Sequence, residues 1–291
     1  MVVGRFAPSP TGPLHIGSLV AAVGSRLMAK HCGGRWLLRI DDLDRERCRQ
    51  QFEDDILRTL ERFGLQWDGV ITRQSENTPA YEDAFDRLKR QGAVYPCACS
   101  RAEIARIASA PHPGEEMVYP GTCRNGLAAG RMPRAWRLRA SGVSVSFDDL
   151  RHGLITADLE KAGDFIVKRV EGYFAYQLAV VVDDFLTGVN QVVRGDDLLD
   201  STPRQVHIHQ LLGLPLPVYC HLPLVTAPDG TKLSKRDNTV SIADGTVPGR
   251  EYELLAWTLK FLGLELPADL KTASCTDILD WAVSNYGEVN R

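Results

Sequence analysis

The sequence predicts an α/β fold with a parallel sheet. Three observations support this prediction: strands alternate with helical periodicity over the first 94 residues, the pattern breaks from Tyr95 to about Ala162, and it then resumes. Alternating strands and helices are typical of sheets whose parallel strands are joined by helical crossovers. The chain has 291 residues, enough for about two domains at roughly 150 residues each.

The first part of the chain begins with a predicted strand at Val2–Phe6. The loop at 7–13 contains three prolines and one glycine, which neither a strand nor a helix tolerates. A run of apolar residues with helical spacing predicts the first helix from His15 to Lys30. The remaining elements predicted in this part are a strand at 36–40 and helices at 52–63 and 81–90.

The middle segment, 95–162, is rich in Cys, Pro and Gly and has short alternating runs such as Val143–Phe147. It therefore predicts an inserted subdomain. We expect strands to resume at 164–168 and at 178–182, and the second of these contains only apolar residues, which is typical of a strand buried on both faces. The last predicted elements are a helix beginning at Ser201–Pro203, a strand at 218–226, and helices at 252–262 and 278–283.

Composition limits the classes of function. The chain has 34 basic and 37 acidic residues, and its net charge of -3 excludes a globally basic nucleic-acid coat but not a local patch. Three observations predict a reduced, cytoplasmic protein: the odd number of seven cysteines, the lack of a secretory signal, and the lack of an apolar run near the ~20 residues of a membrane span. Between 117 and 147 there is no acid, and five arginines there form a candidate tRNA-binding or merely solvated surface: Arg124, Arg131, Arg134, Arg137 and Arg139.

Two segments have the chemistry of phosphate binding. His15-Ile16-Gly17-Ser18 stands where a helix begins after a strand, and the free N–H groups of a helix start favour phosphate. Gly17 would let a ligand approach the backbone, and His15 could donate to phosphate oxygens. Lys232-Leu233-Ser234-Lys235-Arg236 supplies two cations after a turn. Taken singly, the first segment also fits a capped turn and the second a solvated basic loop.

Together, HIGS and KLSKR resemble the HIGH and KMSKS signatures of class I aminoacyl-tRNA synthetases, which implies a doubly wound Rossmann domain. The glutamyl type is indicated by further matches: RFAPSPTG at 5–12, RIDDLD at 39–44, GYFAYQLA at 172–179, VVDD at 181–184, VRG at 193–195 and STP at 201–203. The 55 residues after Arg236 are too few for the helical anticodon-binding body of a full glutamyl-tRNA synthetase. Short relatives with a Cys-x-Cys…Tyr-x-x-x-Cys insertion are known as glutamyl-Q tRNA(Asp) synthetases.

This resemblance implies activation of L-glutamate by ATP with Mg²⁺ to glutamyl-AMP, and transfer of glutamate to the queuosine base in the anticodon of tRNA(Asp). Two alternatives stay open: a compact synthetase that charges a tRNA 3′ end, and a non-catalytic paralogue that binds tRNA or glutamate. We expect a monomer with a Rossmann catalytic domain at 1–94 and 163–236. The zinc-binding insertion would then occupy 95–162, and a short helical tail 237–291.

The family pattern also implies roles for single residues. Those expected to catalyse are His15, Lys232 and Lys235, while His15, Gly17 and Lys235 contact ATP. Those expected to bind glutamate are Arg5, Ser9, Asp41, Tyr176 and Arg194. A buried guanidinium facing the side-chain carboxylate of the substrate would reject glutamine, which brings no charge.

The chain departs from the family pattern at two positions. Asp41 stands where the family usually has Glu, and Ser18 replaces the second histidine of the signature. The shorter arm of Asp41 would reach the substrate ammonium group only through water unless a backbone shift compensates, and an active enzyme is still expected. Alternatives also stay open for two of the expected ligands: Tyr176 as plain core, and Arg194 as a structural ion pair with Asp196 or Asp197.

Three cysteines of the insertion, Cys97, Cys99 and Cys123, have a spacing that suggests a metal site. The spacing leaves the fourth ligand open between Tyr119 and His112, and the resemblance assigns Tyr119 and a structural Zn²⁺. A metal suits a loop-rich insertion without a large core, because metal binding then contributes folding free energy.

Overall fold

The computed structural model describes residues 1–107, 118–169, 171–226, 242 and 250–289. The strands in these ranges are β1 (Val3–Phe6), β2 (Arg35–Ile40), β3 (Thr72–Arg73), β4 (Val94–Cys97), β5 (Ala135–Leu138), β6 (Ser144–Asp149), β7 (Gly153–Asp158), β8 (Phe165–Arg169), β9 (Gln191–Gly195) and β10 (Val218–Leu222). The helices are α1 (Ile16–His31), α2 (Gln50–Arg62), α3 (Thr78–Arg90), α4 (Arg101–Ile107), α5 (Tyr176–Leu186), α6 (Thr202–Leu212), α7 (Arg250–Phe261) and α8 (Cys275–Val289).

The parallel strands have the order of a doubly wound sheet. Strand β2 lies between β1 and β3, and β9 pairs in parallel with β10. These two groups of strands meet at β1 and β9, where the Asn190 N–H donates to the Val3 carbonyl oxygen at 3.0 Å. The spatial order of the parallel strands is therefore β3-β2-β1-β9-β10. Chain connections run outward in opposite directions from β1 and β9, which is the topological switch point of such a sheet. The predicted α/β class with a parallel sheet is confirmed.

The middle segment contributes to two sheets. Strands β4, β5 and β8 form an antiparallel sheet, and β8 lies on the far side of the predicted boundary at 162. Strands β6 and β7 form a hairpin whose first strand pairs in parallel with β10, at Asp149 opposite Tyr219. The residues predicted as an insertion therefore take part in the main sheet. The division of the chain into domains stays a prediction.

One predicted element is wrong. The apolar run at 178–182 is not a strand buried on both faces but the centre of helix α5. All five of its residues are buried, because α5 is enclosed between β8 and helices α3 and α6. A helix surrounded on most sides needs apolar residues all round, so it loses the periodicity that would distinguish it from a buried strand.

The core lies on both faces of the sheet. On one face α1 packs against α7 and α8, which form the described part of the predicted helical tail. Because α1 lies between the sheet and these two helices, it is buried along most of its length. On the other face α3, α5 and α6 enclose a second apolar cluster. None of the helices within the described ranges is both long and apolar enough to cross a membrane.

Candidate active site

Two adjoining clefts open at the carboxyl ends of β1 and β9, where the strand order changes direction. The first has a volume of about 470 Å³, and the predicted site residues that line it are Arg5, Ser9, His15, Gly17, Tyr176 and Arg194. The second, of about 460 Å³, shares Ser9 and Tyr176 with the first and adds Asp41. The fold therefore brings together all five residues predicted to bind glutamate. Lys232 and Lys235 lie outside the described residues, as does His112.

His15 caps the first turn of α1 with its imidazole. Its backbone is extended, and Nδ1 accepts a hydrogen bond from the Ser18 N–H at 3.3 Å. Because Nδ1 is the acceptor, the ring proton of the neutral imidazole is on Nε2, which can donate to a phosphate oxygen. A Cβ atom on Gly17 would lie 3.1 Å from His15 Cε1. Gly17 therefore leaves room for the His15 ring, a reason that the sequence did not suggest.

Arg194 is a buried cation whose hydrogen-bond partners are neutral. Only 5% of its surface is exposed, and its three donor groups reach His221 Nε2 at 3.1 Å, the Tyr176 hydroxyl at 3.3 Å and Thr202 Oγ1 at 2.7 Å. Within the described part of the chain no carboxylate forms an ion pair with it, and Asp196 pairs with His152 instead. The described residues therefore show no ion pair between Arg194 and Asp196, and the role of Arg194 stays a prediction. Tyr176 is half-buried: it packs against the apolar core and also lines both clefts.

Arg5, by contrast, already has a carboxylate partner. Its Nε donates to both carboxylate oxygens of Asp184, at 3.1 and 3.3 Å. Asp184 also accepts from Arg39 Nη1 at 2.5 Å, and Arg39 Nε donates to Asp41 at 2.7 Å. A continuous buried network therefore connects Arg5 with Asp41, which are two of the residues predicted to bind glutamate.

The network contains more acids than bases. Asp183 lies 3.8 Å from Arg39 Nε and accepts from Gln74, Asn77 and Tyr81 at 2.7–2.8 Å. Three carboxylates, those of residues 41, 183 and 184, thus share the guanidinium groups of residues 5 and 39. Burial raises the pKa of Asp41 to about 6, although the charge and hydrogen bond of Arg39 oppose the change. Burial raises the pKa of Asp183 as well, whereas for Asp184 the two guanidinium groups outweigh burial and lower the pKa.

The candidate metal cluster lies beside strand β4. The sulfur atoms of Cys97, Cys99 and Cys123 all lie within 4.8 Å of one another. The Tyr119 hydroxyl oxygen lies 3.4 Å from Cys97 Sγ and 3.6 Å from Cys99 Sγ, and Cys99 and Cys123 are 3.6 Å apart between sulfurs. Tetrahedral zinc with sulfur at about 2.3 Å and oxygen at about 2.1 Å requires ligands about 3.5–3.8 Å apart. The three distances between Tyr119, Cys97, Cys99 and Cys123 given above are close to these values, so the cluster is compatible with such an ion.

Comparison with known proteins agrees with this geometry. The family described as tRNA synthetases class I (E and Q), catalytic domain, matches residues 1–269. A glutamyl-Q tRNA(Asp) synthetase of Geobacter sulfurreducens is 56% identical over 288 residues, which cover 98% of this chain and 92% of that protein. The chain belongs to the glutamyl-Q tRNA(Asp) synthetase family. It is therefore an enzyme of the ligase type, related to the class I aminoacyl-tRNA synthetases.

Other relatives support the same family. A glutamyl-Q tRNA(Asp) synthetase of Thiobacillus denitrificans is 52% identical over 286 residues, covering 98% of this chain and 93% of that protein. A crystal structure of a glutamate tRNA ligase from Elizabethkingia meningosepticum, in complex with its amino acid, matches with a TM-score of 0.77 at 26% identity. The match covers 96% of this chain but 64% of that ligase, so the chain spans less than two thirds of its length.

In this member of the glutamyl-Q tRNA(Asp) synthetase family, the arginines at 124–139 mostly stabilise the middle segment. Arg124 pairs with Asp164 at 2.7 Å and Arg131 with Glu103 at 2.7 Å. Arg137 is 7% exposed, stacks at 3.8 Å over the Tyr119 ring and donates to Cys97 Sγ at 3.3 Å. Because Arg137 is buried, it cannot belong to a tRNA-binding surface.

The sequence missed the residues that hold the expected ligands in place. Arg39 and Asp184 carry charge inside apolar surroundings, and His221 and Asp149 form a fully buried pair behind Arg194. Charged groups seldom occur in buried positions unless they are paired. Two signals in the sequence could therefore have revealed the network. One is the pair of acids that follows the apolar run at 178–182, and the other is Arg39, which stands between Leu38 and Ile40.

Proposed function

We propose that the chain activates L-glutamate with ATP to form glutamyl-AMP and pyrophosphate, and transfers the glutamyl group to the queuosine base in the anticodon of tRNA(Asp). The observation that carries this proposal is Arg194, a buried cation that lines the first cleft and whose hydrogen-bond partners among the described residues are neutral. Burying an unpaired charge is costly, and an incoming carboxylate relieves that cost. Glutamate brings two carboxylates, and the first cleft is lined by three guanidinium groups, those of Arg5, Arg47 and Arg194.

Discrimination against glutamine follows from the same arrangement. An amide in place of the carboxylate would leave the buried guanidinium of Arg194 without a counter-charge. Asp41 lines the adjoining cleft next to Ser9 and Tyr176, where its carboxylate is available to the substrate ammonium group. The names of the close relatives, with glutamyl as the acyl group, support the same choice of amino acid.

In the activation step, an oxygen of the glutamate α-carboxylate attacks the α-phosphorus of ATP. The bond from that phosphorus to the bridging oxygen breaks, and pyrophosphate leaves. His15 Nε2–H and the first N–H groups of α1 would hold the phosphates, and Lys232 and Lys235 would neutralise the developing charge. Mg²⁺ would accompany ATP, as is usual for nucleotides.

The second cleft is where the acceptor nucleoside would enter. Three arginines line it together with an aromatic side chain: Arg45, Arg47, Arg169 and Tyr173. Guanidinium groups bind phosphates and stack on bases, and an exposed aromatic ring offers a base a stacking surface. In the transfer step a hydroxyl of the queuosine ring attacks the acyl carbon, AMP leaves with the bonding electron pair, and the hydroxyl proton passes to the AMP phosphate or to solvent.

A zinc ion, bound by the three clustered thiolates and Tyr119, would stabilise the middle segment structurally. Arg137 supports this site, because its guanidinium donates to Cys97 Sγ and stacks over the Tyr119 ring. Thiols remain available to a metal in a reducing compartment, which favours the cytoplasm.

One assay with labelled glutamate, ATP and tRNA(Asp) tests this function. We expect ATP–pyrophosphate exchange that depends on glutamate and not on glutamine. We also expect labelling that requires queuosine and survives removal of the 3′ adenosine. Label lost with the 3′ adenosine would favour a compact synthetase, and absence of exchange would favour a non-catalytic paralogue. Arg194→Gln should abolish exchange, while the exposed Arg90→Gln serves as the matched control.

A further inference from the structure

The guanidinium of Arg194 is oriented by side chains from two other strands. His221 on β10 lies between Arg194 on β9 and Asp149 at the end of β6. Arg194 Nε donates to His221 Nε2 at 3.1 Å, and His221 Nδ1 lies 2.7 Å from Asp149 Oδ2. The side chains of His221 and Asp149 are wholly inaccessible to solvent. The pair therefore cannot touch substrate and acts through Arg194.

The hydrogen bonds determine where His221 holds its proton. An arginine Nε–H can only donate, so His221 Nε2 must present a lone pair to it. The single ring proton is then on Nδ1 and is donated to Asp149. Asp149 is itself held by the backbone N–H groups of Arg151 and His152, both at 3.0 Å, and of His221 at 3.1 Å. The pair consequently has one arrangement of donors and acceptors.

We propose that Asp149 and His221 are positioning residues that aim Arg194 at a glutamate carboxylate, and that protonation of His221 weakens glutamate binding. The proposal rests on the proposed function, because the orientation of Arg194 matters only if Arg194 binds glutamate. A carboxylate in direct contact with Arg194 would orient it equally well but would neutralise it and compete with the substrate. A neutral imidazole fixes the direction of the guanidinium and leaves its charge for the ligand.

The groups around His221 determine its response to acid. The charged groups that face it are Asp149, Arg194 and Asp196; Thr202 Oγ1 lies 3.0 Å from Nε2, and the Tyr219 ring stacks at 6.2 Å. Burial lowers the pKa of His221; the hydrogen bond to Asp149 opposes this change, and the charge of Arg194 adds to it. Protonation would replace the acceptor by an N–H and set a second cation beside Arg194. Protonation of His221 should therefore weaken glutamate binding only below about pH 6.5, the ordinary pKa of histidine.

Two substitutions at His221 separate positioning from folding. His221→Phe removes the acceptor, and His221→Gln offers Arg194 an amide oxygen that does not titrate. The matched control is His207→Phe, because His207 is also buried and bonds the Arg139 carbonyl oxygen at 3.0 Å. ATP–pyrophosphate exchange gives kcat and the KM values for glutamate and for ATP, and thermal unfolding reports the stability of each variant.

We expect His221→Phe to raise the KM for glutamate about tenfold to a hundredfold, since a hydrogen bond to a buried charged group is lost. The KM for ATP and the unfolding temperature should match those of the control. His221→Gln should recover most of the loss at neutral pH. Because Asp41 titrates in the same range, the informative quantity is the KM for glutamate of His221→Gln divided by that of wild type, which should fall below one in acid.

Three results would overturn the inference. The first is a glutamate KM that changes no more in His221→Phe than in the control. The second is an equal rise in the KM for ATP, which indicates a general structural role. The third is a ratio of KM values that does not depend on pH. Absence of exchange in the wild-type protein contradicts the proposed function and overturns this inference with it, whereas normal wild-type exchange with unaffected variants overturns the inference alone.

Discussion

Replacing Asp41 by Asn should stabilise the ligand-free protein at neutral pH. Asp41 is 7% exposed, and burial raises its pKa from 3.8 to about 6 despite the charge of Arg39. Above this pKa the buried carboxylate is ionised at a net cost. The substitution leaves Arg5 and Arg39 with the carboxylates of Asp183 and Asp184, so the charges in the network balance. The amide oxygen of Asn still accepts the hydrogen bond from Arg39 Nε.

The dependence on pH has a definite sign. Between the unfolded pKa of 3.8 and the folded pKa of about 6, the native state binds more protons at Asp41 than the unfolded state does. The stability contributed by this group is therefore complete below the unfolded pKa and is lost as the pH rises through the folded pKa. A difference of about two pKa units corresponds to about 3 kcal/mol. The advantage of Asp41→Asn should grow from about 0.5 kcal/mol near pH 4 to about 3 kcal/mol near pH 8.

Urea unfolding of both proteins across this pH range, without glutamate, measures the effect. The matched control is Asp68→Asn, for which the expected change in stability has the opposite sign. Burial raises the pKa of Asp68, but hydrogen bonds from Lys30 and the Trp36 amide lower it overall. That variant should be less stable than wild type at neutral pH, and its deficit should shrink in acid. An Asp41→Asn protein that is no more stable than wild type near pH 8, or whose advantage grows towards acid, would refute the reasoning.

Three further predictions concern the candidate metal cluster, the start of helix α1 and the buried network. Cys99→Ser should lower the zinc content from one ion per chain, measured by plasma mass spectrometry, and full retention would contradict the ligand set. Gly17→Ala should slow ATP–pyrophosphate exchange about tenfold by displacing the His15 ring, with little change in unfolding temperature; unchanged exchange would contradict it. Tyr81→Phe removes a donor to the buried Asp183 and should destabilise the protein by about 1–3 kcal/mol in urea unfolding, whereas an unchanged midpoint would show that the hydroxyl is dispensable.

Local signals predicted the first half of the fold well. Prolines and a glycine delimit the loop between β1 and α1, and helical spacing marks α2 and α3, so each element could be predicted from residues close to it in sequence. Helix α5 could not, because complete burial erases the difference between a helix and a strand in the pattern of apolar residues. The prediction at 178–182 thus failed because of the burial of α5 and not because of the helix propensity of its residues.

The candidate site divides in the same way. Motifs predicted which residues line the clefts, since those residues sit in short segments within and after β1, after β2, in β9 and at the start of α5. The partners of Arg194 come from α5, α6 and β10, and no local pattern connects them. The arginines at 124–139 suggested an outer surface, but paired acids such as Asp164 stand forty residues away from Arg124 in the sequence. The roles of Lys232 and Lys235 stay predictions.

The pairing of β6 with β10 has a consequence for protein engineering. An insertion with its own candidate metal site looks like a separate module that could be exchanged between relatives without changing the catalytic domain. Here the last residue of β6 is Asp149, which contacts His221, the histidine that bonds Arg194 of the first cleft. A chimaera joined at the predicted boundaries would replace Asp149 together with the insertion. A safer design keeps the native β6–β7 hairpin and exchanges only the segment that precedes it.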